Sequence, residues 1–200
     1  MKSRILLSGL MLISAVAFTG CKTKVKRVAV DEQMDLSGSW NDTDSQLVSH
    51  EMIADIATRS WIEEYTAKNG KKPVVIVGTV RNMSSEHIET GTFVKDLERE
   101  LINNGRVTFV ANKMERGELR EERKEQQTWA REETQKRLAA ETGADYMLQG
   151  SIKTIIDKEG KESIKFYQVD MEMVHLETNE KVWIGDKKIK KYVKKRSRKW

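Results

Sequence analysis

Apolar and polar residues alternate with a period of two through the last third of the chain. The apolar positions of this pattern are Tyr146, Leu148, Ile152, Tyr167, Val169, Met171 and Met173. Polar turns are expected at 157–161 and 177–180, and a third strand is expected over 181–189. Because side chains along a strand point alternately to its two faces, the pattern predicts a three-stranded antiparallel meander with one polar face.

The first half of the chain has the helical period instead. Its two apolar stripes are Ile53, Ala57, Trp61 and Tyr65, and then Phe93, Leu97 and Leu101. A capping box at Thr43–Gln46 and the pair Asn69–Gly70 predict the ends of the first helix, and Gly105 ends the second. The charged residues 112–142 also have helical spacing, with a break expected near Gly117.

Two strands are expected between these helices. Residues 73–80 form a continuous β-branched run, which is typical of a strand buried on both faces, and residues 106–111 form another strand. The order strand, helix, strand, helix and meander predicts an α/β fold. We expect a two-layer sandwich in which a mixed β-sheet carries helices on one or both faces.

The N-terminus has the layout of an export signal. Lys2 and Arg4 precede an uncharged, mostly apolar run over residues 5–18. As a helix this run is about 21 Å long, which is short of the ~30 Å hydrocarbon core of a bilayer. The pattern therefore predicts a signal peptide over residues 1–20 rather than a membrane-spanning anchor.

Cys21 is the single cysteine of the chain and follows the small residues Thr19 and Gly20. The segment resembles a bacterial lipoprotein signal, which implies that Cys21 is acylated and becomes the mature N-terminus. The alternative is a lone thiol that follows an apolar stretch by chance. Lys22 stands where an inner-membrane retention signal would place aspartate. The resemblance therefore implies anchoring on the periplasmic side of the outer membrane.

The rest of the chain is predicted to divide into three segments. Residues 21–43 have no period and form a flexible tether, residues 44–192 form the globular domain, and residues 193–200 form a basic tail. The net charge of +5 hides an asymmetry, because nine basic residues and no acidic one follow from Lys187 onwards. Such a segment either binds an anionic envelope polymer or is simply solvated. Export argues against nucleic acid as the partner.

No residue set in the sequence indicates catalysis. A single cysteine excludes an intramolecular disulfide and a cysteine metal cluster, and the three histidines are scattered. The chain has no nucleotide-binding loop, serine-nucleophile elbow or zinc-protease motif. The many carboxylates of 115–141 alternate with basic residues at helical spacing, which is typical of an ion-paired exposed face. We therefore predict no catalytic residue, cofactor or metal, and a protein that is not an enzyme.

Two regions are candidates for contact with a partner. The first is the mixed-charge helix, with Arg116, Arg120 and Arg123. The second is the end of the buried strand, where Arg81 and Asn82 begin a polar loop, since binding residues often follow strands in α/β folds. The other interpretation of this loop is a turn that caps the next helix.

Several stretches together resemble one family. They are Asp35–Ser45, Val77–Ser84, Gly143–Gly150, Tyr167–Glu172 and Thr178–Trp183. In their order and spacing they resemble the LpoB-type activators of penicillin-binding proteins, which are outer-membrane lipoproteins with a domain similar to the N-terminal domain of TolB. The resemblance implies a non-catalytic protein that docks on a bifunctional class A penicillin-binding protein and stimulates peptidoglycan synthesis. The alternative is an envelope adaptor lipoprotein that binds anionic glycan or lipid through its basic tail.

Overall fold

The structure is a computed structural model that describes residues 25–29, 32–111, 113–129 and 143–195. Residues 25–29 form neither helix nor strand. The helices and strands of the described residues belong to a compact unit that begins at Gln33. The predicted signal peptide with Cys21, residues 130–142 of the segment predicted to be helical and the last five residues lie outside the described ranges.

Four helices and five strands occur in the described part of this unit. The helices are α1 (Asp42–Ala57), α2 (Trp61–Asn69), α3 (Thr90–Asn104) and α4 (Lys113–Trp129). The strands are β1 (Val74–Asn82), β2 (Thr108–Phe109), β3 (Tyr146–Glu159), β4 (Glu162–His175) and β5 (Lys181–Lys194). The predicted α/β class and the mixed sheet are therefore confirmed.

The strands form one sheet in the order β2-β1-β3-β4-β5. β1 pairs in parallel with both β2 and β3, whereas β3, β4 and β5 pair antiparallel. The predicted meander is thus confirmed, although its strands are longer than the alternating pattern suggested. β1 has the expected two-sided burial over Val74–Val77 and becomes partly exposed from Gly78 onwards.

The core lies between one face of this sheet and helices α1 to α3. From the meander it takes Tyr146, Leu148, Ile152, Tyr167, Val169, Met171 and Met173, all buried as the alternation predicts. α3 contributes the predicted stripe of Phe93, Leu97 and Leu101. α2 and α3 both end at a glycine in the left-handed conformation, Gly70 and Gly105, which residues with a Cβ adopt only at a cost.

The first predicted helix is in fact two helices. α1 ends at Ala57, and α2 begins at Trp61. Between them Thr58 donates its hydroxyl to the Asp55 carbonyl at 2.7 Å, and the Trp61 indole donates to the Ile56 carbonyl at 3.1 Å. These side chains satisfy the last carbonyls of α1, so the helix ends although its apolar stripe continues.

The capping box also differs from the predicted one. The N-cap is Asn41, whose side chain accepts from the Asp44 N–H at 3.0 Å, while the Asp44 carboxylate accepts from the Asn41 N–H at 3.0 Å. α1 therefore starts inside the segment expected to be a flexible tether. The predicted break at Gly117 is wrong as well, since α4 continues through it. Its neighbours are strong helix formers that offset the roughly 1 kcal/mol cost of one glycine.

Residues 35–41 are fastened to the sheet by a partly buried ionic network. The Glu86 carboxylate accepts from Lys165 Nζ at 2.7 Å, from the Tyr167 hydroxyl at 2.6 Å and from the Trp40 N–H at 3.3 Å. Lys191 Nζ donates to Asp35 at 2.7 Å and to Asp44 at 2.6 Å. Burial alone would raise the pKa of Glu86, but the hydrogen bonds it accepts outweigh burial and lower that pKa. Within the segment 21–43 that was predicted to be a tether, residues 35–43 are thus held by the sheet and by the start of α1, and a tether over the preceding residues stays a prediction.

The basic residues from Lys187 to Lys194 belong to β5 and are not a tail. Three of them pair with acidic residues elsewhere in the chain: Lys187 with Glu51, Lys191 with Asp35 and Asp44, and Lys194 with Glu162. Lysines along β5 also protect this edge of the sheet from pairing with another chain. Binding of an anionic polymer by a basic tail therefore stays a prediction for the residues that follow Lys194.

We expect Leu97→Ala to destabilise the domain strongly and Ile102→Ala, on the same helix, to leave its stability nearly unchanged. Leu97 is fully buried in the core, whereas Ile102 is 55% exposed. Truncating a buried leucine costs about 2–5 kcal/mol through lost burial and the remaining cavity. Urea unfolding of both variants measures the difference, and equal losses would contradict the assignment of this helix face to the core.

We expect Glu86→Gln to reduce the free energy of unfolding by about 2–3 kcal/mol at pH 7, since it leaves the Lys165 ammonium without its counter-charge. The folded-state pKa of Glu86 lies below its ordinary value of 4.5. Its contribution is therefore complete above that value and is lost as the pH falls through the folded-state pKa.

The difference between the wild type and the Glu86 variant should consequently shrink when urea unfolding is repeated in acid. Glu177→Gln is the matched control, because Glu177 is exposed in the turn before β5. A gap between wild type and Glu86→Gln that stays constant down to about pH 3 would refute the role of the carboxylate.

Candidate partner-binding groove

The meander presents its second face to solvent. We call this surface the open face; it consists of the odd-numbered residues of β3 and the even-numbered residues of β4 and β5. Residues across it form rows set by the strand register. Gln149, Glu172 and Ile184 make one row, and Ser151, Asp170 and Asp186 make the next. The open face corresponds to the polar face predicted from the alternation.

A groove of about 780 Å³ runs between the open face, β1 and the first turns of α4. We call it the open-face groove. Gly78 and Ser151 lie along its floor, Arg81 and Met83 come from the end of β1, and Arg116 comes from α4. A Cβ at position 78 would lie only 2.8 Å from the sulfur of Met147, so a larger residue at this position would require the Met147 side chain to move.

The topology explains why α4 flanks this face. β1 connects to β2 through α3, which packs on the core face. The chain then returns from β2 through α4 to β3, on the other side of β1. Parallel crossovers are right-handed, so two connections that run in opposite directions across the sheet place their helices on opposite faces.

The two acidic residues that line the groove already have basic or amide partners. Asp170 pairs with Lys153 at 2.8 Å, and Glu172 pairs with Lys181 at 2.6 Å and with the Gln149 amide at 2.8 Å. The hydrogen bonds from Lys181 and Gln149 lower the pKa of Glu172. For Asp170, burial opposes the shift, but hydrogen bonds from Gln168 and Lys153 still lower its pKa. Both carboxylates are thus kept ionised, and their negative charges are compensated by the neighbouring lysines.

Among the described residues, Arg81 and Arg116 have no such partner. Within the described ranges no carboxylate lies within salt-bridge distance of either guanidinium, and the Nε atom of Arg116 is buried without an acceptor. Among the described residues, the groove therefore carries two arginines without a counter-charge, next to two carboxylates whose charges are compensated by lysines. A buried donor without a partner costs about 1–3 kcal/mol, which favours any ligand that supplies an acceptor.

Apolar side chains are exposed beside these charges. Met83 and Ile184 both line the groove, with exposures of 61% and 67%. Further along the open face, Ile155 and Tyr192 are exposed to a similar extent. Large apolar side chains that share one surface with uncompensated charges are typical of a contact site for another protein.

The remaining candidate residues from the sequence lie elsewhere or have other contacts. Arg120 and Arg123 are on α4 outside the groove lining, and each takes part in an interaction of its own. Asn82 organises its loop: its amide donates to the Glu86 carbonyl at 2.8 Å and its oxygen accepts from the Ser84 N–H at 2.9 Å. Cys21 lies outside the described ranges.

The described residues offer neither a metal site nor a membrane span. No three His, Cys, Asp or Glu side chains in them are grouped so as to hold a metal ion. None of the described helices has both the length and the apolar character needed to cross a bilayer. Asp and Glu side chains here are instead used as partners for lysine, asparagine and backbone groups.

Met83 and Ile184 were not predicted from the sequence to be part of a binding surface. A signal was present, because Ile184 occupies a polar-face position of its strand and Met83 interrupts a polar loop. Single apolar residues at exposed positions are common, however, and these two indicate a binding surface only because they line the same groove.

Comparison with known proteins identifies the family. The family model described as "Peptidoglycan-synthase activator LpoB" matches residues 44–189. A search of curated protein sequences found no match. Among solved structures, the chain is similar to the C-terminal domain of LpoB from Escherichia coli, with 16% identity, a TM-score of 0.42 and coverage of 73% of this chain and 98% of the other.

Two further structures are similar to the chain. The NMR structure of E. coli LpoB has 14% identity and a TM-score of 0.40, with 96% of this chain and 91% of the other covered. The C-terminal domain of LpoB from Salmonella enterica has 18% identity and a TM-score of 0.37, with coverage of 64% and 91%. Because the family model extends over well more than half of the sequence, the chain belongs to the LpoB family of peptidoglycan-synthase activators.

Proposed function

We propose that this protein is a lipid-anchored periplasmic activator of a bifunctional class A penicillin-binding protein, which it stimulates by direct contact. The family match over residues 44–189 carries this proposal, because members of the family are regulatory activators of penicillin-binding proteins rather than enzymes. The open-face groove supports it, since uncompensated arginines and exposed apolar side chains suit a protein contact.

The proposed anchor is the acylated Cys21 on the inner leaflet of the outer membrane. Asp35, which makes an ionic contact with β5, lies fourteen positions after Cys21. Fully extended, such a segment spans at most about 50 Å. The domain would therefore stay close to the membrane, and the synthase would have to extend towards it.

Activation would require no chemistry from this chain. A regulator acts by binding one conformation of its partner better than another, and the free energy it supplies equals that difference in affinity. A difference of 1.4 kcal/mol shifts such an equilibrium tenfold. A sheet face is suited to this task because its backbone is already ordered before binding, so the ordering cost is limited to side chains.

We expect the purified full-length lipoprotein in detergent to raise the rate of glycan-chain polymerisation by a class A synthase from the same organism. The measurement follows consumption of the lipid-linked disaccharide precursor with and without the lipoprotein. A monofunctional glycosyltransferase from the same organism is the control and should not respond. If none of the class A synthases is stimulated or bound, the proposed function fails.

We expect Cys21→Ser to abolish incorporation of a labelled fatty acid and to move the protein from the membrane fraction to the soluble periplasm. Several acyl chains bind a membrane almost irreversibly, at about 0.8 kcal/mol per buried CH₂, so removing them changes the fractionation completely. Thr23→Ala is the matched control and should remain membrane-bound. Acylation of the Cys21→Ser protein, or an unchanged distribution, would contradict the anchor.

A further inference from the structure

We propose that the open-face groove binds an acidic segment of the synthase, whose carboxylates pair with Arg81 and Arg116 while an apolar side chain packs against Met83 and Ile184. This inference rests on the proposed function and specifies where on this chain the partner binds. It commits to a polypeptide with acidic and apolar residues side by side as the occupant.

The charges of the groove favour an acidic occupant. The carboxylates of Asp170 and Glu172 are each taken by a lysine at 2.8 Å or less. In the part of the chain that the structure describes, the guanidinium groups of Arg81 and Arg116 have no carboxylate partner. The acidic side chains of the groove are thus already paired, whereas its two guanidinium groups can still donate hydrogen bonds. A carboxylate of the partner would accept charge-assisted hydrogen bonds from them.

The uncharged lining favours a polypeptide over an anionic glycan or a lipid headgroup. Met83 and Ile184 expose most of their side chains at the groove, and the partly buried Met147 lies between the strands. Sugars and phosphates gain little from such contacts, whereas an apolar side chain gains about 25 cal/mol for each Å² removed from water. Methionine is also flexible enough to adapt to the shape of a partner.

The arginines of the groove are separate from the ionic contacts that hold residues 35–44. Glu86, Lys165 and Lys191 bind residues 35–44 on the side of the sheet that carries the core. Arg81 is exposed at the end of β1 and takes no part in that network. Its charge can therefore be changed while the fold is preserved.

The test measures the affinity of the full lipoprotein for the synthase, together with stimulation of polymerisation, for Arg81→Glu, Arg116→Glu and Ile184→Asp. We expect each charge reversal to weaken binding by about tenfold or more and to reduce stimulation in parallel. Arg81→Lys should retain most of the affinity. Lys71→Glu is the matched control, since Lys71 is exposed at the opposite end of β1 and has no ion pair among the described residues.

Salt provides a second measurement. Binding of the wild type should weaken as ionic strength rises, and binding of the Arg81→Glu protein should respond less, because fewer opposite charges are left to screen. Circular dichroism and urea unfolding of each variant confirm the fold. If Arg116→Glu does not fold, Arg116→Gln removes the charge with a smaller change in volume.

The outcomes separate this inference from the proposed function. If the wild type stimulates the synthase and the groove variants do so equally well, the groove is not the contact, and the proposed function stands. If the wild type stimulates no synthase, the proposed function itself fails. If the reversals abolish self-association in sedimentation experiments but leave synthase binding intact, the groove holds a second copy of this chain, and the inference is overturned.

Discussion

The antiparallel pairing of β3 with β4 is the constraint on which the rest of the domain depends. Its register runs without interruption from the pair Tyr146 and His175 to the pair Glu159 and Glu162. A shift by one residue would expose Tyr167 and bury Asp170, because each position would change faces. The cost of burying charges in the core therefore fixes the register, and the register fixes the residues of the open face.

β1 is where the core and the groove meet. Val74–Val77 are all buried, and Ile76 and Val77 also line the open-face groove. The pairing with β3 is irregular between Val77 and Val80, and beyond this point Arg81 lies on the groove side. An irregularity of this kind changes the direction in which a strand presents its side chains, and such features often adjoin functional sites.

Charged residues serve two different purposes on the two sides of the sheet. On the core side, Lys165 and Lys191 are largely buried and hold the segment that leads into α1. Removing one partner of such a pair lowers the stability of the fold strongly, so these lysines have a structural role. On the groove side, the guanidinium groups of Arg81 and Arg116 make no ion pair in the described residues, and they contribute nothing evident to the fold.

The basic segment near the C-terminus illustrates why composition alone misleads. In the sequence, Lys187 and its successors look like a solvated or polymer-binding tail. In the structure, residues up to Lys194 pair with β4, and several of the lysines neutralise acidic residues far away in the chain. Opposite charges 136 or more positions apart cannot be paired by inspection of a sequence, although a strand was predicted for the first part of this segment, over 181–189.

The elements with a local residue pattern could be predicted from the amino-acid sequence. Residue spacing alone predicts which face of a strand or a helix is buried. It was sufficient for the period of two over Tyr146–Met173 and for the helical stripe of Phe93, Leu97 and Leu101. Helix ends were determined less well, since the cap at Asn41 and the interruption after Ala57 depend on which side-chain oxygen or hydroxyl reaches a backbone group first.

The groove, in contrast, could not be predicted without the folded arrangement of strands and helices. Arg81 and Arg116 are 35 positions apart and belong to a strand and a helix that the handedness of two crossovers brings to the same face. Whether a charge is compensated depends on which carboxylates its neighbours have already taken, and that is a property of the whole sheet. The sequence could name both arginines as candidates, but it could not bring them together or show that they lack partners.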